Sequence, residues 1–263
     1  EPVRWRAFLQ SVWPDDADAH ALLQQWFGYV LSGRTDLQKM FALTGPRRSG
    51  KGTIARVLTA VVGAGNVAGP SLHSLGTNFG LGPLLGKSLA IVGDARLGTG
   101  DGAKAALANI LGISGEDVMQ VDRKYRDPWN GRLPVRIMLM SNELPSFYDA
   151  SGAIASRFLL LPMTKSFYGQ EDPQLGADLL QELPGILNWG LDGLADLNRR
   201  GTFAEPASAA DMRREFDELV SPITLFIEEH CDLGPDFWAP TQELYEAWAH
   251  WCFDTGHTQG SRQ

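Results

Sequence analysis

Residues 45–51 read Gly45-Pro46-Arg47-Arg48-Ser49-Gly50-Lys51, a G-x-x-x-x-G-K pattern. Glycines at these places let successive backbone N–H groups close round phosphate oxygens, and the lysine ammonium meets the β and γ phosphates. The pattern acquires meaning only between a strand and a helix. Residues 39–44 (KMFALT) form a short apolar run with strand character, and residues 50–62 carry helical periodicity. The segment 39–53 therefore predicts a buried strand, a phosphate-cradling loop and a helix whose N-terminal dipole faces the anion. A glycine turn with a surface lysine is the alternative. The contacts expected for phosphate are Gly45, Pro46, Arg47, Arg48, Ser49, Gly50, Lys51, Gly52 and Thr53. At the place after the lysine, where a Ser or Thr hydroxyl ordinarily reaches Mg2+, stands Gly52. Thr53 comes one residue later, which puts its role as a metal ligand in question.

Three further residues stand at the ends of apolar runs. Asp94 closes the run 89–93 (LAIVG), the place of a carboxylate that holds Mg2+ and polarises the attacking water in phosphoryl transfer. Ala95 and Arg96 follow it, so the usual second acid is missing; the alternative for Asp94 is a cap on the next loop. Glu116 and Asp117, in the turn Gly115-Glu116-Asp117, are either candidates for the missing carboxylate or solvated turn acids. Asn142 follows the run 135–140, where an amide can orient the water that attacks the γ-phosphate. Arg157 opens the run 158–161. It is a surface or ion-paired arginine or, in a ring of subunits, an arginine finger inserted into the neighbour's site.

A fourth group is basic and aromatic. Arg123, Lys124, Arg126, Arg132 and Arg136 fall within fourteen residues, interleaved with Tyr125 and Trp129. Residues 118–126 and 132–140 flank Pro128-Trp129-Asn130-Gly131, and Asn-Gly is a strong turn signal, so a protruding β-hairpin turning at 128–131 is expected. Such a hairpin suits single-stranded nucleic acid, by phosphate neutralisation and base stacking. The alternative is a solvated hairpin whose cations pair with Asp122 and Asp127.

The elements that must position these groups follow from the rest of the chain. Strand-like runs at 39–44, 89–92, 135–140 and 158–161 alternate with helical stretches, which predicts a mostly parallel sheet. A buried helix over 20–31 ends at Gly33, and a helical stretch from Pro173 to about Arg200 stops at Gly201. A helical module begins near residue 205, and its aromatic-rich part, 245–253, stops short of an obvious complete domain. The 263 residues suffice for one large α/β domain with a helical appendage. A formal net charge of −8 excludes a general basic coat, so nucleic acid must be held by a local feature. Cys231 and Cys252 lack the spacing of a zinc site or a dense disulfide framework, which fits a reducing cytoplasm. No apolar run is long enough to span a bilayer, and the first residues do not form a signal peptide. The chain begins at Glu1 instead of Met and is expected to be part of a longer protein.

Together these residues resemble the superfamily 3 helicases, in particular the primase-helicase branch of bacteriophages, poxviruses and related mobile elements. The match runs from about residue 20 to the C-terminus. Its most specific stretch runs from Ile113-Ser114-Gly115-Glu116-Asp117 through Asp122-Arg123-Lys124-Tyr125 and Ser141-Asn142-Glu143-Leu144-Pro145 to Ser156-Arg157-Phe158. The resemblance implies an α/β, AAA+-like P-loop NTPase core (38–203), an N-terminal helical region (1–37) and a C-terminal helical, partial winged-helix module (204–263). It implies ATP and Mg2+ as cofactors, and a homo-hexameric ring that moves along single-stranded DNA and opens the duplex at a replication fork. On that reading Lys51 belongs to the Walker A loop, Asp94 to Walker B, Asn142 is sensor 1 and Arg157 acts in the neighbouring subunit. Arg123, Lys124, Tyr125 and Arg126 then face DNA in the central channel. In such families a primase domain often precedes this segment and a winged-helix module often follows.

Two other readings stay open. Gly50-Lys51-Gly52-Thr53 also resembles nucleoside monophosphate kinases, although a small phosphotransferase needs a closing lid with several arginines, where this chain has a hairpin and Asn142. The missing second acid leaves room for a module that binds ATP to order a complex with little turnover.

Overall fold

A computed structural model of the chain describes residues 1–93, 101–144, 147, 153–220 and 222–255. Five strands build a wholly parallel sheet: β1 (Met40–Thr44), β2 (Val67–Ala68), β3 (Leu89–Val92), β6 (Arg136–Ser141) and β7 (Phe158–Pro162), in the spatial order β2-β3-β6-β1-β7. β1 is an interior strand between β6 and β7, with Thr44 level with Ser141 on one side and Pro162 on the other. Every residue of β1 is buried, as is every residue of β7. Strands covered on both faces read as continuous apolar runs, which is why the runs at 39–44 and 158–161 mark them so well.

Alternate residues of each strand feed two separate cores, as the period of two requires. Phe41, Leu43, Met138, Leu159 and Leu161 join one core, and Met40, Ala42, Ile137, Leu139 and Leu160 the other. The first is closed by α1 (Val3–Val12), α2 (Ala17–Ser32), α3 (Lys51–Val62), α7 (Leu175–Gln181) and α8 (Leu183–Arg200), through side chains such as Trp5, Trp26, Ile54, Leu179 and Trp189. The second is closed by α4 (Leu72–Leu75), α5 (Asp101–Ser114), α6 (Ala153–Arg157) and α9 (Ala210–Val220). The result is an α/β fold with a parallel sheet between helical layers, as expected.

α2 starts on Asp16, whose carboxylate accepts from Ala19 N at 2.9 Å, and ends at Gly33 in the left-handed region. It packs closely on α8 because glycines face the crossing: a Cβ on Gly28 would stand 2.4 Å from Gly190 O, and one on Gly193 2.2 Å from Gln24 O. The expected helical stretch 173–200 is two helices, broken at Glu182. Pro184 has no N–H to give, so it sits in the first turn of a new helix. The Glu182 carboxylate then caps α1, accepting from Arg4 N at 3.0 Å and Trp5 N at 2.9 Å.

The hairpin differs from expectation. It is formed by β4 (Met119–Arg123) and β5 (Arg126–Gly131), and it turns at Lys124-Tyr125, with Tyr125 at φ +60°. Residues 128–131 lie in a strand instead of the turn. The register explains this: Val121 pairs with Trp129, and both pack on the second core, which fixes the turn eight residues before the expected partner strand could begin. Residues 136–141 are held in the central sheet, where Arg136 pairs with Leu89.

Beyond residue 204 the described residues form helices and no strand: a short turn at Ala207–Ala209, α9, α10 (Pro222–His230) and α11 (Thr241–Thr255). Phe226, Trp248, Trp251 and Cys252 make a third, small cluster between α10 and α11. Cys231 and Cys252 are both free thiols. Among the described residues no helix is long and apolar enough to cross a membrane.

Candidate nucleotide site

The loop 45–50 leaves the carboxyl end of β1 and enters α3 at Lys51. Gly45 lies against the chain after β7, where a Cβ would meet Met163 O at 2.0 Å, so no larger residue fits. Gly50 caps α3 at φ +104°, and its carbonyl accepts from Thr53 N and Ile54 N at 3.0 and 3.1 Å. The opposite side of the loop is clamped by the segment that follows β7. Ser166 Oγ donates to Arg47 O, Phe167 N donates to Arg48 O, and Glu171 pairs with the Arg48 guanidinium at 3.4 Å. The backbone of the loop is therefore fixed by hydrogen bonds on both flanks.

This loop opens on a cleft of about 910 Å³, a volume ordinary for nucleotide-sized ligands. Five cations line it, Arg4, Arg47, Arg48, Lys51 and Arg56, against the acids Glu171 and Asp172. On a chain of net charge −8 this concentration is local and specific. Lys51 Nζ donates to Gly45 O at 2.6 Å, Pro46 O at 2.8 Å and Ser49 Oγ at 3.2 Å, and burial pulls its pKa below the ordinary lysine value. Asn142 lines the same cleft, because β6 runs beside β1 and ends level with it. Lys51 and Asn142 are thus brought together by two adjacent parallel strands. Asp94 lies outside the described residues.

Thr53 reaches the cleft, but its hydroxyl accepts from Arg56 Nη2 at 3.2 Å. Among the described residues no group of three or more His, Cys, Asp and Glu could hold a metal ion. A lone hydroxyl already occupied by a guanidinium is a poor fit to Mg2+, which favours carboxylate oxygens and water.

Glu116 is not a second acid for this site. Its carboxylate accepts from Thr35 Oγ1, and Gln38 Nε2 donates to Gly115 O at 3.2 Å. Both partners precede β1, so the turn sits at the amino edge of the sheet, a strand length of about 15 Å from the loop. Arg157 lies at the same amino edge, just before β7. Its Nη1 donates to Ser114 Oγ at 2.7 Å and to Leu111 O, closing the last turn of α5. It does not reach the cleft of its own chain.

Arg136 leaves the basic group altogether. It is 3% exposed and donates to Val30 O at 2.8 Å, Gly33 O at 3.2 Å and Pro134 O at 2.8 Å, capping the end of α2 from a central strand. Arg123 folds back on Asp127 O through two hydrogen bonds. The exposed cations at the hairpin tip are Lys124 and Arg126, flanking a fully exposed Tyr125, while Lys124 Nζ stands 5.7 Å over the Phe79 ring. Phe79 is itself half exposed, so the tip presents two aromatic rings and two cations.

Sequence reasoning missed Arg56, Arg4 and the 166–176 wall. Arg56 was within reach of it, since a residue four places after Gly52 shares its helix face. Arg4 needed α1, whose Trp5, Phe8, Leu9 and Val12 carry a helical spacing that was legible. The wall after β7 carries no motif and depends on tertiary hydrogen bonds alone.

A family model described as a family of unknown function (DUF5906) matches residues 43–157, less than half of the chain. That span holds the loop, the hairpin, Asn142 and Arg157. Among solved structures, the chain is similar to apo structures of the NrS-1 C-terminal region. One, its A form, is 13% identical with a TM-score of 0.64 and is covered over 87% of this chain. Two others are 15% and 14% identical, with TM-scores of 0.61 and 0.57, each covering 97% of this chain. In all three the chain spans 57% of the length of the protein it matches. At these identities the likeness shows a shared fold.

Proposed function

We propose that the chain is the motor part of an ATP-dependent DNA helicase from the replication protein of a phage or mobile element. The observation that carries this reading is the placement of Lys51 and Asn142 in one cation-lined cleft at the carboxyl end of adjacent parallel strands. In the proposed site the loop N–H groups and Lys51 hold the β and γ phosphates. Triphosphate oxygens replace Gly45 O, Pro46 O and Ser49 Oγ as acceptors for the ammonium. Asn142 orients the attacking water. Mg2+, with Asp94 as its ligand, is part of the resemblance, and the described side chains show no fit to it. The chain forms a homo-hexameric ring, in which any part played by Arg157 is in the neighbouring copy's cleft, since it points away from its own. The tip formed by Lys124, Tyr125 and Arg126 contacts single-stranded DNA, and repetition round a ring multiplies an affinity that one small tip supplies only weakly.

A second reading, a module that binds nucleotide with little turnover, is favoured by one observation: the Thr53 hydroxyl is engaged by Arg56. Nucleotide hydrolysis with and without single-stranded DNA, in the wild type and in Tyr125→Ala, separates the two. A motor is expected to show hydrolysis that rises several-fold with DNA and loses most of that rise in Tyr125→Ala. Tight nucleotide binding with no turnover under either condition would favour the binding module.

A further inference from the structure

The place of the ordinary metal-reaching hydroxyl is not left open in this fold. Gly52 has no side chain, and a Cβ built on it would meet a single group within 4 Å, Arg56 Nη1 at 3.4 Å. The same guanidinium donates through Nη2 to Thr53 Oγ1 at 3.2 Å. Arg56, Gly52 and Thr53 all line the cleft beside Lys51. The planar fork of Arg56 thus lies across the first turn of α3, four residues after Gly52, over the position a Ser or Thr would fill. Its backbone is helical and its side chain is exposed, so it has no core task to explain it. It also makes no ion pair with a carboxylate among the described residues, unlike Arg4 and Arg48 in the same cleft.

We propose that Arg56 is a triphosphate-binding residue that takes over, at Gly52, the neutralisation of β- and γ-phosphate charge which a divalent cation held by the hydroxyl performs in loops of this type. A guanidinium binds phosphate oxygens in bidentate fashion without losing a hydration shell as tight as that of Mg2+. A glycine at this place leaves the guanidinium room, whereas a side chain extending beyond Cβ would compete with it for the same space. Nucleoside triphosphate therefore binds this chain with little dependence on divalent cation. The inference rests on the phosphate-binding reading of the loop and adds a residue and a cation dependence to it.

The test is equilibrium binding of a fluorescent ATP analogue, in excess Mg2+ and in EDTA, to the wild type, Arg56→Gln and Gly52→Thr, with Lys51→Ala as the control for the loop itself. Thermal unfolding establishes that each variant folds. The expected result is a wild-type affinity that changes less than about threefold on chelation. Arg56→Gln is expected to bind about tenfold more weakly in EDTA, or roughly 1.4 kcal/mol, and to recover with Mg2+. Gly52→Thr, which displaces the guanidinium and restores the hydroxyl, should also become Mg2+-dependent. Wild-type binding that collapses on chelation, or an Arg56→Gln variant that matches the wild type under both conditions, overturns the proposal while leaving a Lys51-dependent site intact. No binding by the wild type under either condition removes the phosphate-binding reading and this inference with it.

Discussion

The two edges of the parallel sheet use the same residue type in opposite ways. At the carboxyl edge, Arg47, Arg48, Lys51 and Arg56 surround a loop of backbone N–H groups and line open space. At the amino edge, Arg136 and Arg157 are spent on carbonyls at helix ends: Arg136 on Val30 and Gly33 after α2, Arg157 on Leu111 at the end of α5. Helix C-termini offer unpaired C=O groups, which attract cations, whereas the start of α3 offers N–H groups, and the cations beside it find their partners in side chains and loop carbonyls. On the proposed function, whether an arginine serves structure or ligand depends on which end of a helix it meets.

That contrast makes the largest expected stability effect an amino-edge one. Arg136→Met removes three hydrogen bonds to carbonyls, the one to Val30 O buried and those to Gly33 O and Pro134 O half-buried, and is expected to cost about 3 kcal/mol in urea unfolding, with nucleotide affinity of the folded protein unchanged. A variant as stable as the wild type would place Arg136 among residues that do not hold α2. Arg157→Ala loses one half-buried cap, and the same measurement should show a smaller loss of about 1–2 kcal/mol. If unfolding were unaffected while hydrolysis by mixed Arg157→Ala and Lys51→Ala subunits exceeded that of either alone, the arginine would belong to the neighbouring copy's site and the division between edges would fail at that residue.

A third expected effect is a pH dependence at the amino edge. Tyr29, fully buried beside Arg136, has its pKa pushed up to about 12, first by burial. The unfolded chain ionises this phenol near pH 10, so the stability it contributes is complete below that pH and is lost as pH rises toward 12. Unfolding followed from pH 9 to 12 should therefore fall more steeply in the wild type than in Tyr29→Phe; parallel curves would contradict it.

The parts of this molecule legible in the sequence were those set by local pattern. β1, the loop and α3 announce themselves because a buried strand, two glycines and a helical period occur in succession, and β3 matches the run 89–92 residue for residue. The hairpin was legible as a hairpin but not in its turn, because the packing of Val121 and Trp129 on the second core outweighed the Asn130-Gly131 signal. β2 was not legible at all, being two residues long and defined only by pairing with Leu89 and Ala90. Within the site, Lys51 and Asn142 could be named from motif and strand ends. The roles of Arg136, Glu116 and Arg56 could not, since each depends on what lies across the fold: a helix end, a threonine hydroxyl, and the space over a glycine.

On the proposed function, residues 45–53 hold a nucleoside triphosphate. The most direct test of this claim is the affinity of a fluorescent ATP analogue for the wild type and for Lys51→Ala, with inorganic tripolyphosphate as competitor. Tripolyphosphate is expected to displace the analogue from the wild type, and Lys51→Ala to bind about a hundredfold more weakly, some 2.7 kcal/mol, with unchanged thermal stability. Equal affinity in the two proteins, or an analogue that tripolyphosphate cannot displace, would contradict the claim.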